Sequence, residues 1–258
     1  VTGGAGFIGS HLVDLLLKKN FYVIVIDNLK GGRLENLDNH KKNKNLIFKN
    51  LDINKITKKE KSFKNALYVF HFAGIGDIVP SIENPSSYMR TNIQGTVNVL
   101  EASRHSKVKK FVYAASSSCY GINNKRTDEY AKIDPKYPYA LSKYLGEQAV
   151  FHWNKVYGLP ANSIRIFNAY GPRVKTTGAY GAVFGVFFKQ KLKKKPLTII
   201  GDGKQSRDFV HVTDVAAAFL KAATNKKQGQ IYNLGNDKPQ SINYLAKLIG
   251  GKSISIPN

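Results

Sequence analysis

Apolar residues fall in short dense runs at residues 21–26, 46–48, 67–72, 110–115 and 163–167, each bounded by polar or glycine-containing segments. Between them, residues 10–18, 85–105 and 138–156 carry apolar positions at helical spacing. Fully apolar short strands alternating with helices predict a parallel sheet covered on both faces, an α/β doubly wound architecture. Past residue 167 the texture changes. Gly171-Pro172 and Thr176-Thr177-Gly178 lead into a helix at 182–194, strands at 197–200 and 209–212, and a helix at 213–224. A strand at 230–234 and a helix at 242–249 follow. The expected division is therefore a first unit over 1–167 and a smaller lobe over 168–258, with elements returning to the sheet.

The chain opens on Val1-Thr2-Gly3-Gly4-Ala5-Gly6-Phe7-Ile8-Gly9, with glycines at positions 3, 6 and 9 ahead of an apolar helix. That spacing allows a tight turn, close approach of backbone to a pyrophosphate, and a helix N-terminus aimed at the phosphates. The strand 21–26 then ends on Asp27, about 20 residues past the loop, where a carboxylate accepts both hydroxyls of an adenosine ribose. A 2′-phosphate would meet like charge there, so NAD is the expected cofactor, with Lys30 and Arg33 leaving NADP as the alternative. The first unit is thus expected to be Rossmann-like. Only two residues precede Gly3, and Ile256-Pro257-Asn258 closes the chain as a strand finishes, so both ends read as cut. Two further strand ends suit a dinucleotide crevice: Asp52-Ile53 beside the adenine, and Phe72-Ala73-Gly74, whose small residues let backbone approach the cofactor.

Tyr139 and Lys143 stand four residues apart on a helix that Pro138 can open at its first position. With 14 Tyr and 33 Lys in 258 residues, about two such pairs are expected by chance, so spacing alone proves nothing. Position carries the argument. The pair follows a strand ending in Ser116-Ser117-Ser118, and these elements converge over the nicotinamide half of the crevice. A neighbouring ammonium and an oxidised nicotinamide favour the phenolate, which fits Tyr139 as base, Lys143 as ribose and phenolate partner, and Ser116 as proton relay. Leu141, Leu145, Ala149 and Trp153 form an apolar stripe on the opposite face, suited to a second subunit or to the chain's own core.

These residues, with Asn92, Phe167-Asn168 and Arg207-Asp208-Phe209-Val210-His211, make the sequence resemble the extended short-chain dehydrogenase/reductases. Within them it resembles the NAD-dependent epimerase/dehydratase family of nucleotide-sugar enzymes, most of all its UDP-glucose 4-epimerases. The resemblance implies a Ser116, Tyr139 and Lys143 triad. It implies a cofactor site of Gly3, Gly6, Phe7, Ile8, Gly9, Asp27, Asn28, Asp52, Ile53, Phe72, Ala73, Gly74, Asn92 and Lys143. Asn168 and Arg207 fall to the substrate diphosphate. Gly181-Ala182 stands where well-known UDP-galactose epimerases carry Asn-Leu beside the uridine, which assigns Ala182 to the substrate. The implied reaction is C4 epimerisation by transient oxidation, with a homodimer as the expected assembly. Family 4,6-dehydratases carry an Asp-Glu pair after the catalytic hydroxyl, where this chain has Ser117-Ser118. Dehydration is therefore the alternative rather than the first expectation.

Charge and composition change this picture little. The net charge of +23 comes from 33 Lys and only 7 Arg, and the longest basic run is Lys193-Lys194-Lys195. Nucleic-acid sites cluster arginine with exposed aromatics, so a non-catalytic RNA-binding role is the least favoured class. With 42% hydrophobic residues the chain can bury a sizeable core, which excludes disorder. A single cysteine, Cys119, excludes a disulfide framework and a four-cysteine zinc site, and no metal is called for. No apolar run approaches the ~20 residues of a membrane span, and no signal-peptide pattern opens the chain. The expected compartment is the cytoplasm.

Overall fold

The computed structural model of the protein describes residues 1–122, 126–176 and 183–257. Helix α1 (Phe7–Lys18) leaves the glycine loop, and strands β1 (Val23–Asp27), β2 (Leu46–Asn50) and β3 (Tyr68–His71) follow. Helices α2 (Val79–Glu83), α3 (Pro85–Met89) and α4 (Gly95–His105) precede β4 (Lys110–Ser116), α5 (Pro138–Tyr157) and β5 (Ala161–Ile166). Beyond them come β6 (Asn168–Tyr170), α6 (Val183–Leu192), β7 (Leu197–Ile200), β8 (Ser206–Arg207) and β9 (Phe209–His211). Helix α7 (Val212–Thr224), β10 (Gln230–Leu234), β11 (Gln240–Ser241), α8 (Ile242–Ile249) and β12 (Ser253–Ile256) complete the chain's described elements.

Strands β3, β4, β5 and β10 pair in parallel, as do β1 and β2. Thr2 joins the two sets by bridging Ile26 on one side and His71 on the other. Its N–H donates to the Phe70 carbonyl at 3.0 Å, its carbonyl accepts from Phe72 N–H at 3.0 Å, and Gly3 N–H donates to Ile26 at 2.8 Å. The order is therefore β2-β1-Thr2-β3-β4-β5-β10. Chain order reverses at Thr2, which makes its carboxyl end the crevice where dinucleotides bind in such sheets.

Period-two alternation within the strands sends side chains to opposite faces. Val25, Phe70, Val112, Ala114 and Ile164 meet Leu12, Val13, Leu16, Val215 and Phe219 of α1 and α7. Ile26, Val69, Phe111, Tyr113 and Ala115 meet Val99, Leu100 and Val150 of α4 and α5. A third, smaller core gathers Phe187, Leu197, Ile199, Ile242, Leu245 and Ile249. Helix starts follow local chemistry: Pro138 opens α5, the His211 ring accepts from Thr213 N–H at the head of α7, and Ser241 Oγ accepts from Tyr244 N–H at the head of α8.

Several element bounds differ from those expected of the sequence, each for a visible reason. The helix expected over 85–105 is one helical run interrupted by a π turn at Arg90–Gln94. Strand β5 starts at Ala161, two residues early, because its polar members are satisfied inside the protein: Asn162 Nδ2 donates to the carbonyls of Ala222 and Lys227, each at 3.0 Å. Helix α2 was not expected at all. Among the described residues no helix is long and apolar enough to cross a membrane.

Candidate active site

The glycine loop folds back on the sheet. Gly3 has φ +70°, and a Cβ there would stand 2.6 Å from the Ala73 nitrogen. At Gly9 a Cβ would stand 2.2 Å from the Gly3 carbonyl oxygen, so the first turn of α1 can lie against the loop only without a side chain. Gly6, at the N-cap, contributes no side-chain bond, which leaves the N–H groups of the helix end to an anion. Phe7 and Ile8 lie in this first turn. Asp27, at the end of β1, is 7% exposed and folded under the loop: Oδ2 accepts from Ala5 N–H at 3.0 Å and Oδ1 from Leu29 N–H at 2.9 Å. A close-approach loop, an uncapped helix end and a carboxylate one strand away fit an NAD pyrophosphate and ribose. A methyl group at Gly9 is expected to push the loop off the helix. Gly9→Ala should lose most NAD affinity in a fluorescence titration and about 1–3 kcal/mol of stability from overpacking.

Asn28 Nδ2 donates to Asp52 Oδ2 at 2.9 Å, and Asp52 Oδ1 accepts from the backbone and side chain of Asn54, each at 2.9 Å. Burial pushes the Asp52 carboxyl up, but these hydrogen bonds and Lys30 outweigh it and hold it below its ordinary value. Lys30 is thereby engaged, 3.8 Å from Asp52. Ile53 is 4% exposed and packs among Ile26, Ile56 and Val99, so its side chain lies in the core. Phe72 packs its ring 4.3 Å from that of Phe219, and Ala73 N–H donates to Thr2 Oγ1 at 3.4 Å.

Ser116, Tyr139 and Lys143 are drawn together by the pairing of β4 with β5 and the packing of α5 on β4. Ser116 is 8% exposed; its hydroxyl donates to Ser118 Oγ at 3.0 Å and accepts from Ser118 N–H at 3.2 Å. Burial pushes the Tyr139 phenol above its ordinary value, Ser116 draws it down, and Asp77 pushes it up. Burial takes the Lys143 ammonium down to about 7, while Glu147 pulls it up. Lys143 is not among the groups moving Tyr139, so in the protein alone burial dominates where the sequence pointed to the ammonium. Lys143 Nζ sits 4.4 Å from the centre of the Tyr113 ring.

Asn92 lies in the π turn, 1% exposed. Its side chain accepts from Ile75 N–H at 2.8 Å and donates to the Ile75 carbonyl at 3.0 Å and to Ser142 Oγ at 2.9 Å, tying the segment after β3 to α5. Its carbonyl accepts from the Thr96 hydroxyl at 2.7 Å. That leaves Thr96 Oγ1 to accept from His71 Nε2 at 2.9 Å, and His71 Nδ1 to accept from the Thr2 hydroxyl at 2.6 Å. A neutral His71, its pKa held well down by burial, thus links Thr2 to the π turn. His71 immediately precedes Phe72-Ala73-Gly74, and its place at a strand end was the available signal.

Asn168 lies two residues beyond Ile166, which pairs with Ser116, and its Nδ2 donates to the Asp208 carbonyl at 3.0 Å. Arg207, adjacent in β8, is exposed, and among the described residues its guanidinium donates to the carbonyl of its neighbour Ser206 at 2.8 Å. The structure thus brings Asn168 to the segment carrying Arg207. Ala182 falls outside the described residues. Glu147 was missed by the sequence reading, although it stands four residues past Lys143 on the same helix face.

The family model described as "NAD dependent epimerase/dehydratase family" matches residues 1–235. The chain belongs to the NAD-dependent epimerase/dehydratase family. NAD is accordingly its cofactor. Among relatives, a putative UDP-glucose 4-epimerase of Methanocaldococcus jannaschii is 41% identical over 252 residues, covering 96% of this chain and 80% of that protein. A solved UDP-N-acetylglucosamine 4-epimerase of Methanobrevibacter ruminantium M1, in complex with UDP-N-acetylmuramic acid, superimposes with a TM-score of 0.93. It is 33% identical, with 98% of this chain and 83% of that one covered. A UDP-glucuronic acid 4-epimerase of Bacillus cereus, in complex with UDP-glucuronic acid and NAD, gives a TM-score of 0.91 at 32% identity, covering 99% and 84%.

Proposed function

We propose that this family member interconverts the C4 epimers of a UDP-linked sugar, with Ser116, Tyr139 and Lys143 as its catalytic residues. The observation that carries this reading is the approach of α5, with Tyr139 and Lys143, to Ser116 at the carboxyl end of β4, followed by Ser117-Ser118 rather than an acid–base pair. NAD, when bound, would supply the hydride acceptor and donor and, when oxidised, a positive charge that favours the phenolate. Tyr139 takes the proton of the sugar's C4 hydroxyl and returns it after the keto sugar has turned over. Ser116, near enough to that phenol to draw its pKa down, orients the same hydroxyl and relays the proton. Lys143, buried and within reach of the crevice, holds the nicotinamide ribose and stabilises the phenolate when it is charged. Asn168 and Arg207 take the diphosphate, the first as an amide donor and the second as a planar cation. Exposed Leu141 and Leu145 on α5 suit a second copy of the chain, giving a homodimer, and the working compartment is the cytoplasm.

The second reading is a 4,6-dehydratase, which needs an acid and a base to eliminate water across C5–C6. The test incubates the protein with NAD and, separately, UDP-glucose, UDP-N-acetylglucosamine and UDP-glucuronate, and separates the products by chromatography and mass. A C4 epimer of unchanged mass is expected from one of them. A product lighter by one water would move the reaction to the dehydratases.

A further inference from the structure

Three parts of the molecule meet at one carboxylate on the dinucleotide helix. Asp14, in the second turn of α1, accepts from Arg173 Nη1 at 2.8 Å through Oδ2 and from His40 Nε2 at 2.8 Å through Oδ1. The same Arg173 nitrogen donates to Ser10 Oγ at 3.1 Å, one turn earlier. His11 adds a third tie: its Nε2 donates to the Pro172 carbonyl at 3.0 Å, because that carbonyl can only accept. The segment 171–176 is therefore stitched along the face of the helix whose first turn receives the NAD pyrophosphate.

The backbone pays for this geometry. Arg173 has φ +66°, a left-handed conformation that a residue with a Cβ seldom adopts, and its side chain is 19% exposed. Strain of this kind persists where surrounding contacts over-determine it. Gly171, two residues earlier, has φ +141°, and a Cβ there would stand 2.6 Å from Val212 Cγ1, so the turn is pressed against the head of α7. On its other side the segment reaches the neighbourhood of the phenol: Lys175 Nζ lies 3.3 Å from Asp77, the carboxylate that pushes the Tyr139 phenol up. Between these ties the segment walls a cavity of about 440 Å³, shared with Tyr170, Phe184 and Phe188.

We propose that Arg173 is a positioning residue, which through Asp14 and Ser10 clasps the wall of the substrate-lobe cavity to the NAD helix and so fixes where a nucleotide sugar sits relative to the cofactor. The proposal rests on the epimerase reading above and adds a residue that acts without touching the reacting atoms. A wall that swings free leaves the binding-competent arrangement only fractionally populated, and apparent affinity falls by that fraction. The cost falls on substrate binding rather than on the proton-transfer step.

Arg173→Ala, Asp14→Ala, their double variant and Arg173→Lys test this in the whole chain. Each alanine variant is expected to raise the KM for the nucleotide sugar about tenfold, with kcat within about threefold of wild type and NAD affinity unchanged. The double variant should cost clearly less than the sum of the two singles, because both remove the same Arg173–Asp14 bond, while Asp14 alone also loses His40 and Arg173 alone also loses Ser10. Arg173→Lys should recover part of the loss. A KM that rises in Arg173→Ala but not in Asp14→Ala would overturn the proposal, since Arg173 would then be touching substrate directly. Additive effects would overturn it as well. Trypsin supplies a readout free of substrate: Asp14→Ala should speed cleavage after Arg173 about tenfold, with cleavage inside α5 as the reference. Equal rates would overturn the clasp even if turnover is normal. If wild type turns over no nucleotide sugar, only the epimerase reading falls, and the trypsin comparison decides the clasp.

Discussion

Tyr139→Phe is expected to lower kcat by about 10²–10⁴-fold, the range contributed by a positioned acid–base group. The variant removes one hydroxyl and keeps the ring, so packing of Tyr139 against Tyr88, whose rings lie 6.4 Å apart, survives. Ser116, which draws on the phenol, keeps its own bonds to Ser118. Stability should therefore change by no more than about 1 kcal/mol. KM should stay close to wild type, and NAD should remain bound. Steady-state kinetics with a cofactor titration reads all three. A variant retaining a tenth or more of wild-type kcat would remove Tyr139 from the chemistry.

The largest expected effect on stability lies two turns along the same helix. Glu147 and Arg165 are 1% and 2% exposed, and the guanidinium grips the carboxylate with Nη2 at 2.6 Å and Nε at 3.1 Å and 3.2 Å. Ser163 Oγ donates to the same carboxylate at 2.7 Å, and Arg165 Nη1 donates to the Tyr120 hydroxyl at 2.7 Å. Tyr120 in turn donates to Asn233 Oδ1 at 2.7 Å, on β10. Removing one partner leaves the other charged, buried and unpaired, which costs about 3–5 kcal/mol. Glu147→Ala should therefore lower the thermal midpoint by about 10 °C, at about 2–4 °C per kcal/mol for a chain of this size. Glu147→Leu combined with Arg165→Met should regain much of that loss, because an apolar pair of similar volume is often neutral against a buried ion pair. Recovery should be incomplete, since the hydroxyls of Ser163 and Tyr120 each lose a partner. If the double variant is as unstable as the single, packing rather than charge holds this part of the core.

Part of the strand that carries Arg165 was hard to read from sequence. Strands β1, β3 and β4 carry apolar residues on both faces and announce themselves. Strand β5 shows itself only from residue 163, because Asn162 is a polar residue whose partners lie far along the chain. The glycine loop and Asp27 were legible because steric need fixes residue type: only glycine tolerates the approaches at positions 3 and 9. Tyr139, Lys143 and Ser116 were legible from their order on β4 and α5. Arg173 and Asp14 were not, being 159 residues apart with neither in a pattern of its own. The balance of forces at Tyr139 was also out of reach, since burial is a property of the folded surroundings rather than of neighbouring letters.

The π turn at Arg90–Gln94 has a consequence for how this chain tolerates change in length. A π turn holds one residue more than an α-helix would place in the same span. Deleting any one of the five would let the helix run regularly from α3 into α4 with both flanks close to their present phase, and the bulge itself would be lost. Asn92 would swing off Ile75 and Ser142, and its carbonyl would leave Thr96 and the close approach of Gly146, where even a Cβ would stand 2.7 Å away. Substitutions along this stretch keep the residue count and hence the bulge. An insertion or deletion of a single residue does not, so homologous chains should vary here in composition while holding their length fixed.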